Sequence, residues 1–125
     1  MTRYFIDANC VIHALSGAYP KLVARLADCA PGEVALSTIT FAEVILGTAH
    51  GKPPPPELIE AFVEAVPLAP FDEAAARAYA KLPFKRARFD RLLAAHALSI
   101  DATIVTNDEA DFADIPDLKI ENWSQ

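Results

Sequence analysis

Cysteine is scarce: Cys10 and Cys29 are the only two in 125 residues. They stand too far apart for a metal-binding or redox motif, and both read as reduced thiols. The three histidines, His13, His50 and His96, are equally scattered, which excludes a zinc site built from His and Cys. None of the four glycines falls in a G-x-G-x-x-G or G-x-x-x-x-G-K pattern. Without such a phosphate-cradling loop, ATP, GTP and dinucleotide chemistry are poor fits. No apolar run reaches the roughly 18 residues that span a bilayer, and Asp7 interrupts the N-terminal one before a signal core forms. A cytoplasmic protein with no membrane association is expected. Positive charge is short as well: 11 Lys and Arg against 17 Asp and Glu leave a net charge of -6. That weighs against a nucleic-acid partner, whose phosphates need neutralising.

What is present is a globular balance, with 53% hydrophobic and 22% charged residues. The chain can bury one real core and is too short for two, so a single domain over residues 1–125 is expected. The positive charge is unevenly spread. Lys81, Lys85, Arg86, Arg88 and Arg91 crowd into the stretch 81–91. From charge alone this is a solvated helix edge and turn, but the stretch encloses Asp90, which gives it a second reading as the basic border of an acidic site.

Tyr4-Phe5-Ile6 is a short apolar strand ending at Asp7, and Val11, Ile12 and Leu15 follow at helical spacing. A second helix is predicted over Lys21 to Asp28, broken by Pro31-Gly32. Val34-Ala35-Leu36 is a strand running into Ser37-Thr38, and Phe41, Val44 and Ile45 mark a helix. The prolines at 53–56 suit neither a helix nor a sheet interior and predict an exposed connector, locally polyproline II. Beyond it come a helix over Glu57 to Ala65, a strand over Val66 to Ala69 and a helix capped by Asp72 running to Lys81. Phe89, Leu92, Leu93, His96, Ala97 and Ile100 mark another helix. Thr103 to Thr106 is a β-branched strand, Asp108 opens a helical turn, and Leu118 to Trp123 alternates as a last strand. Strands alternating with helices predict an α/β fold, a mostly parallel sheet of about five short strands with helices on both faces.

In an open parallel sheet, ligands gather beyond the carboxyl ends of the strands. Asp7 directly follows the first strand, Glu43 lies about a turn past the second, and Asp108 comes shortly after Val105. Asp90 sits near the start of the helix that leads into Thr103. Each acid has a purely structural explanation. Asp7 suits a helix cap, Glu43 a capping box with Thr40, Asp108 a cap ahead of Asp111, and Asp90 a favourable charge in a first helical turn. Asp90 fits its explanation least, because at helical spacing it stacks with Leu93, Ala94 and Ala97 on an apolar face. An uncompensated carboxylate there is costly, so an arginine or a bound cation must answer it.

Four carboxylates on one sheet edge raise one another's pKa unless divalent ions neutralise them. A donor set of oxygens without His or Cys selects Mg2+ or Mn2+. Such ions bind phosphate oxygens and generate or orient a hydroxide for attack on a phosphodiester, which is nuclease chemistry. With these four acids given to metal, the remaining acids and the 11 bases nearly balance, and the charge objection weakens.

The same residues lie in four blocks that span nearly the whole chain. They are Phe5-Ile6-Asp7-Ala8-Asn9, then Leu36-Ser37-Thr38-Ile39-Thr40-Phe41-Ala42-Glu43-Val44 with Gly47, then Asp90-Arg91-Leu92-Leu93-Ala94-Ala95-His96-Ala97, and finally Ile104-Val105-Thr106-Asn107-Asp108 followed by Asp111-Phe112. In order and spacing they resemble the motifs of PIN-domain proteins, and among these the VapC-type toxins of toxin-antitoxin systems. The resemblance implies a three-layer PIN-like fold and a Mg2+- or Mn2+-dependent endoribonuclease. It implies Asp7, Glu43, Asp90 and Asp108 as metal-binding and catalytic acids, with Asp111 competing with Asp108 for the fourth place. Asn9, Ser37, Thr38, Thr106 and Asn107 would orient those acids, and Lys85, Arg86 or Arg88 would grip the RNA backbone. It further implies an RNA substrate, tRNA by preference, and inhibition of translation. A homodimer, a higher toxin-antitoxin assembly and neutralisation by a VapB-type antitoxin follow in the same way. An antitoxin arginine can pair bidentately with the acids in place of a metal.

Two other readings compete. An Asp-dependent phosphatase also places an Asp at the end of its first strand, but such enzymes carry Asp-x-Asp where this chain has Asn9. A catalytically degenerate RNA- or protein-binding module would dock through the basic stretch alone, and the presence of all four acids argues against it.

Overall fold

The computed structural model describes residues 2–83 and 88–125, with the side chain of Arg88 outside the description. Among the described residues the order is β1 (Tyr4–Ile6), α1 (Ala8–Ser16), α2 (Pro20–Ala27), β2 (Val34–Ser37), α3 (Thr38–Ala49), α4 (Pro56–Ala65), β3 (Leu68–Ala69), α5 (Glu73–Tyr79), α6 (Arg88–Ser99), β4 (Thr103–Val105), a 3-10 turn (Glu109–Phe112) and β5 (Lys119–Glu121). The strands form one sheet in the order β3-β2-β1-β4-β5, and every pairing is parallel. This is the expected α/β architecture.

The central strand β1 runs from a partly buried Tyr4 into two fully enclosed apolar residues. Phe5 and Ile6 have no exposed surface, and alternation sends them to opposite faces. Ile6 joins Val11, Leu22, Leu36, Val44 and Val105 in one core, while Phe5 joins Ala35, Leu93, Ala94, Ala97 and Ile104 in the other. Each large side chain buried this way contributes about 1.5–3 kcal/mol. Small residues at 94, 95 and 97 have no exposed surface, which lets α6 sit close on the sheet.

Register then places the site. Tyr4 stands opposite Thr103 and Ile6 opposite Val105, so Asp7 and Thr106 leave the sheet side by side. The Asp7 N–H still bonds the Val105 carbonyl at 3.1 Å. Ser37 ends β2 at the same edge.

Local details differ from the sequence reading in two places. Ser37, not Thr40, caps α3, with its Oγ accepting from the Ile39 N–H at 3.1 Å. Glu43 therefore lies well inside the helix and is no partner in a capping box. The proline connector is not fully exposed either: Pro54 is buried, its carbonyl accepts from Thr48 Oγ1 at 2.8 Å, and the Pro53-Pro54 bond is cis, which departs from polyproline II. Pro55 and Pro56 then open α4, where a missing N–H costs nothing.

Candidate active site

Asp7 is fixed first. It is 7% exposed, and its Oδ1 accepts from the Cys10 N–H at 2.9 Å, so the cap expected of it is real. Burial and the neighbouring Asp7 charge push the Cys10 thiol pKa strongly up. Cys10 is thus an uncharged neighbour whose backbone N–H holds Asp7. Capping leaves the rest of the Asp7 carboxylate available, since one oxygen satisfies one N–H.

The other acids reach the same edge from three different elements. Glu43 sits mid-way along α3, Asp90 in the first turn of α6, and Asp108 and Asp111 flank the start of the 3-10 turn. Their mutual influence is electrostatic and legible in their acidities. Glu43 is raised by burial, then by the charges of Asp90 and Asp7. Asp90 is pushed up to about 6 by burial, then by Asp111, Asp7 and Asp108, with Arg91 opposing. Asp111 is raised by burial, then by Asp108, with which it shares a hydrogen bond, and by Asp7. Like charges act at this strength only when close and poorly screened. The five carboxyls form one electrostatic unit, and Asp108 and Asp111, rivals in the sequence, stand together. Asp108 makes no side-chain cap on the turn it precedes.

The residues expected to orient these acids are present at the edge, but their bonds run elsewhere. Thr106 Oγ1 accepts from the Asp108 N–H at 2.9 Å and so fixes the backbone beneath that acid. Thr38 Oγ1 accepts from the Phe71 N–H at 3.1 Å. Ser37 Oγ lies 2.8 Å from His96 Nδ1, and Asn107 Nδ2 lies 3.2 Å from His13 Nδ1. Asn9 is exposed. Lys85 and Arg86 lie outside the described residues, as does the Arg88 side chain.

Four residues escaped the sequence reading. Besides Cys10 and His13, His96 and Arg91 act from α6. His96 is buried, tilted against Phe5 at 4.5 Å and edge-on to Phe71 at 5.6 Å, and burial lowers its pKa, keeping it neutral. Arg91 is 3% exposed and reaches Asp114, just past the 3-10 turn, with Nη2 at 2.9 and 3.0 Å from the two carboxylate oxygens. Its Nε and Nη1 are buried without a hydrogen-bond partner. His96 thus ties α6 to the start of α3, and Arg91 ties it to the chain following Asp111. A buried histidine on an apolar helix face gives no signal of this in the sequence; Arg91 stood beside Asp90 but read as surface charge.

Chemically, five neighbouring carboxyls, of which Glu43, Asp90 and Asp111 have raised pKa values, suit a hard divalent cation, which would relieve their repulsion. Among the described residues no three acidic, His or Cys side chains are gathered tightly enough to cage an ion outright. The donor types fit Mg2+ or Mn2+.

Together these features define a parallel α/β domain with an acidic site on the carboxyl edge of its sheet. The chain belongs to the PIN domain family, whose model matches residues 4–118. It is 29% identical to the tRNA(fMet)-specific endonuclease VapC of Shigella flexneri, over 99% of this chain and all of that protein. It is 26% identical to Ribonuclease VapC2 of Rickettsia felis, with 98% of each chain covered. In structure it superposes on VapBC from Salmonella typhimurium, solved bound to DNA, with TM-score 0.84 and 25% identity over 98% of this chain and 99% of that one. The relatives are VapC proteins throughout their length, and the PIN-like fold expected from the sequence is the one found.

Proposed function

We propose that the chain is a VapC-type toxin, a Mg2+- or Mn2+-dependent endoribonuclease that hydrolyses phosphodiester bonds in RNA, with tRNA the first candidate and arrest of translation the consequence. The observation that carries this is the coupled acid set at one sheet edge: the charges of Asp7, Asp90, Asp108 and Asp111 help to raise the pKa values of Glu43, Asp90 and Asp111. The VapC relatives, named as ribonucleases, support it.

Asp7, Glu43, Asp90 and Asp108, with Asp111 beside the last, would hold the ion. Bound there, a divalent cation supplies positive charge for phosphate oxygens and acidifies its water toward neutral pH. The chain's residues do the rest. Asp7, buried and capped by the Cys10 N–H, is held in its place. Asp90, pushed up to about 6 by burial and its acidic neighbours, would be held ionised by such a cation. Thr106 keeps the Asp108 backbone from drifting. Arg88, Lys85 and Arg86, next along the chain to Asp90, would meet the RNA backbone.

A VapB-type antitoxin is the proposed partner, since the structures most like this chain include VapBC complexes. An arginine on such a partner could neutralise the acids in place of a cation. The looser spacing of the acids is the one observation favouring a catalytically silent binding module. Incubation of the purified chain with total tRNA and with rRNA in Mn2+ separates the two. Discrete fragments, absent with EDTA and absent with Asp7→Asn, are expected; intact RNA under every metal would sink the nuclease reading.

A further inference from the structure

α1 begins at the Asp7 cap, and its successive turns approach the acid cluster from the side. Cys10, one turn in, touches both Asp7 and the Asn107 backbone. His13, three residues further, shares that helix face, and its Nδ1 lies 3.2 Å from the amide of Asn107, the residue immediately before Asp108. Gly17 then ends the helix in the left-handed conformation, φ 79, which only glycine adopts freely. The turn brings Tyr19 back beneath the imidazole. The two rings stack with centroids 4.1 Å apart and planes 14° from parallel, and Tyr19 itself packs against the core that includes Val11 and Leu22.

The imidazole is therefore braced twice, in its plane by an amide and on one face by a phenol ring seated on the core. Yet neither ring is buried. A flat, partly exposed aromatic stack, its imidazole bonded to the residue before Asp108, is suited to receive another flat group. In RNA-binding sites unpaired bases are splayed out and stacked on His, Tyr, Phe or Trp. Such stacking tolerates any base, because each has a π face.

Building on the ribonuclease reading, we propose that His13, backed by Tyr19 and held by Asn107, is a nucleobase-stacking platform for an unpaired nucleotide next to the scissile phosphate. It orders a flanking base while the acids act on the backbone, and so it selects single-stranded or loop RNA over duplex.

The test uses a short single-stranded RNA spanning a site that the wild-type chain cuts, and versions of it with one base at a time removed. His13→Ala is expected to raise KM about ten-fold with little change in kcat, the signature of lost uniform binding. His13→Phe is expected to restore KM, since it keeps a stacking face. Both variants should match wild type in melting temperature and in Mn2+ binding. One abasic position beside the cut should raise KM for wild type and leave His13→Ala unaffected. Unchanged KM in His13→Ala, equal impairment of the Ala and Phe variants, or additive losses at every abasic position would each overturn the platform. A wild-type chain that cuts no RNA removes the ribonuclease reading and the platform together; one that cuts RNA but ignores His13→Ala removes the platform alone.

Discussion

At the scale of single residues, the site is a balance between burial, which favours protonated carboxyls, and any cation that favours ionised ones. Asp90 is the clearest case. Its folded-state pKa, about 6, lies above the ordinary value of about 4 that it regains on unfolding. Its neutral form therefore stabilises the fold fully below about pH 4, and this contribution is lost as pH rises through about 6. Glu43 and Asp111 shift in the same direction. His96 acts oppositely: burial lowers its pKa, so its contribution is present above about pH 6.5 and lost as pH falls. Comparing variants separates the two. Without metal, Asp90→Asn should raise the melting temperature more at about pH 7.5 than at about pH 5. Equal shifts at both would mean that the Asp90 pKa is not raised. That Asp7, Glu43, Asp90 and Asp108 come near one another was legible in the sequence, because each sits at a fixed offset from an element that the hydrophobic pattern reveals. The choice between Asp108 and Asp111 was not, since it depends on how the 3-10 turn folds Asp111 back toward its neighbour. Cys10 looked like an idle thiol because its contact with Asp7 follows from the cap geometry of α1.

Elements carry the acids, so the joints between elements decide whether the acids stay together. α6 bears Asp90 and is joined to α3 by the buried Ser37-His96 pair and to the segment beyond the 3-10 turn by Arg91 and Asp114. These joints oppose the repulsion that would push the acid-bearing elements apart. Replacing His96 by Leu keeps apolar volume against Phe5 and Phe71 but leaves the Ser37 hydroxyl with only its cap bond from the Ile39 N–H, and should cost about 1–3 kcal/mol. Ser37→Ala should cost less in that background than in the wild type, because the shared bond is already gone and only the α3 cap is lost. Denaturant melts of the single and double variants check this, and losses that simply add would contradict it. The strands and most helices were readable from periodicity alone. The start of α3 was not: Ser37 outcompeted Thr40 as cap because β2 runs directly into the helix. Nor was the burial of Pro54, which follows from the Thr48 bond to its carbonyl.

Across the whole molecule, the acidic edge is one of two surfaces that call for a partner. The other is apolar. Ile45 and Leu46 on α3 and Leu58 on α4 are exposed, Leu46 by 51%, beside a groove of about 350 Å³ lined by Phe41, Ile45, Ile59 and Val63 among others. Such a patch marks an interface more often than it is left to water. A homodimer is the expectation, and Leu46→Glu should shift its sedimentation toward monomer; an unshifted dimer would place self-association on another face. Among the described residues no helix is long and apolar enough to cross a membrane. The account as a whole stands on the claim that the acids of four separate segments make one cation site. Calorimetric titration with Mn2+ at about pH 7.5, above the Asp90 pKa, tests this most directly. Wild type should bind with proton release, and Asp7→Asn, Glu43→Gln and Asp90→Asn should each weaken binding at least about ten-fold. Binding that survives all three substitutions, or no binding by wild type, would contradict it.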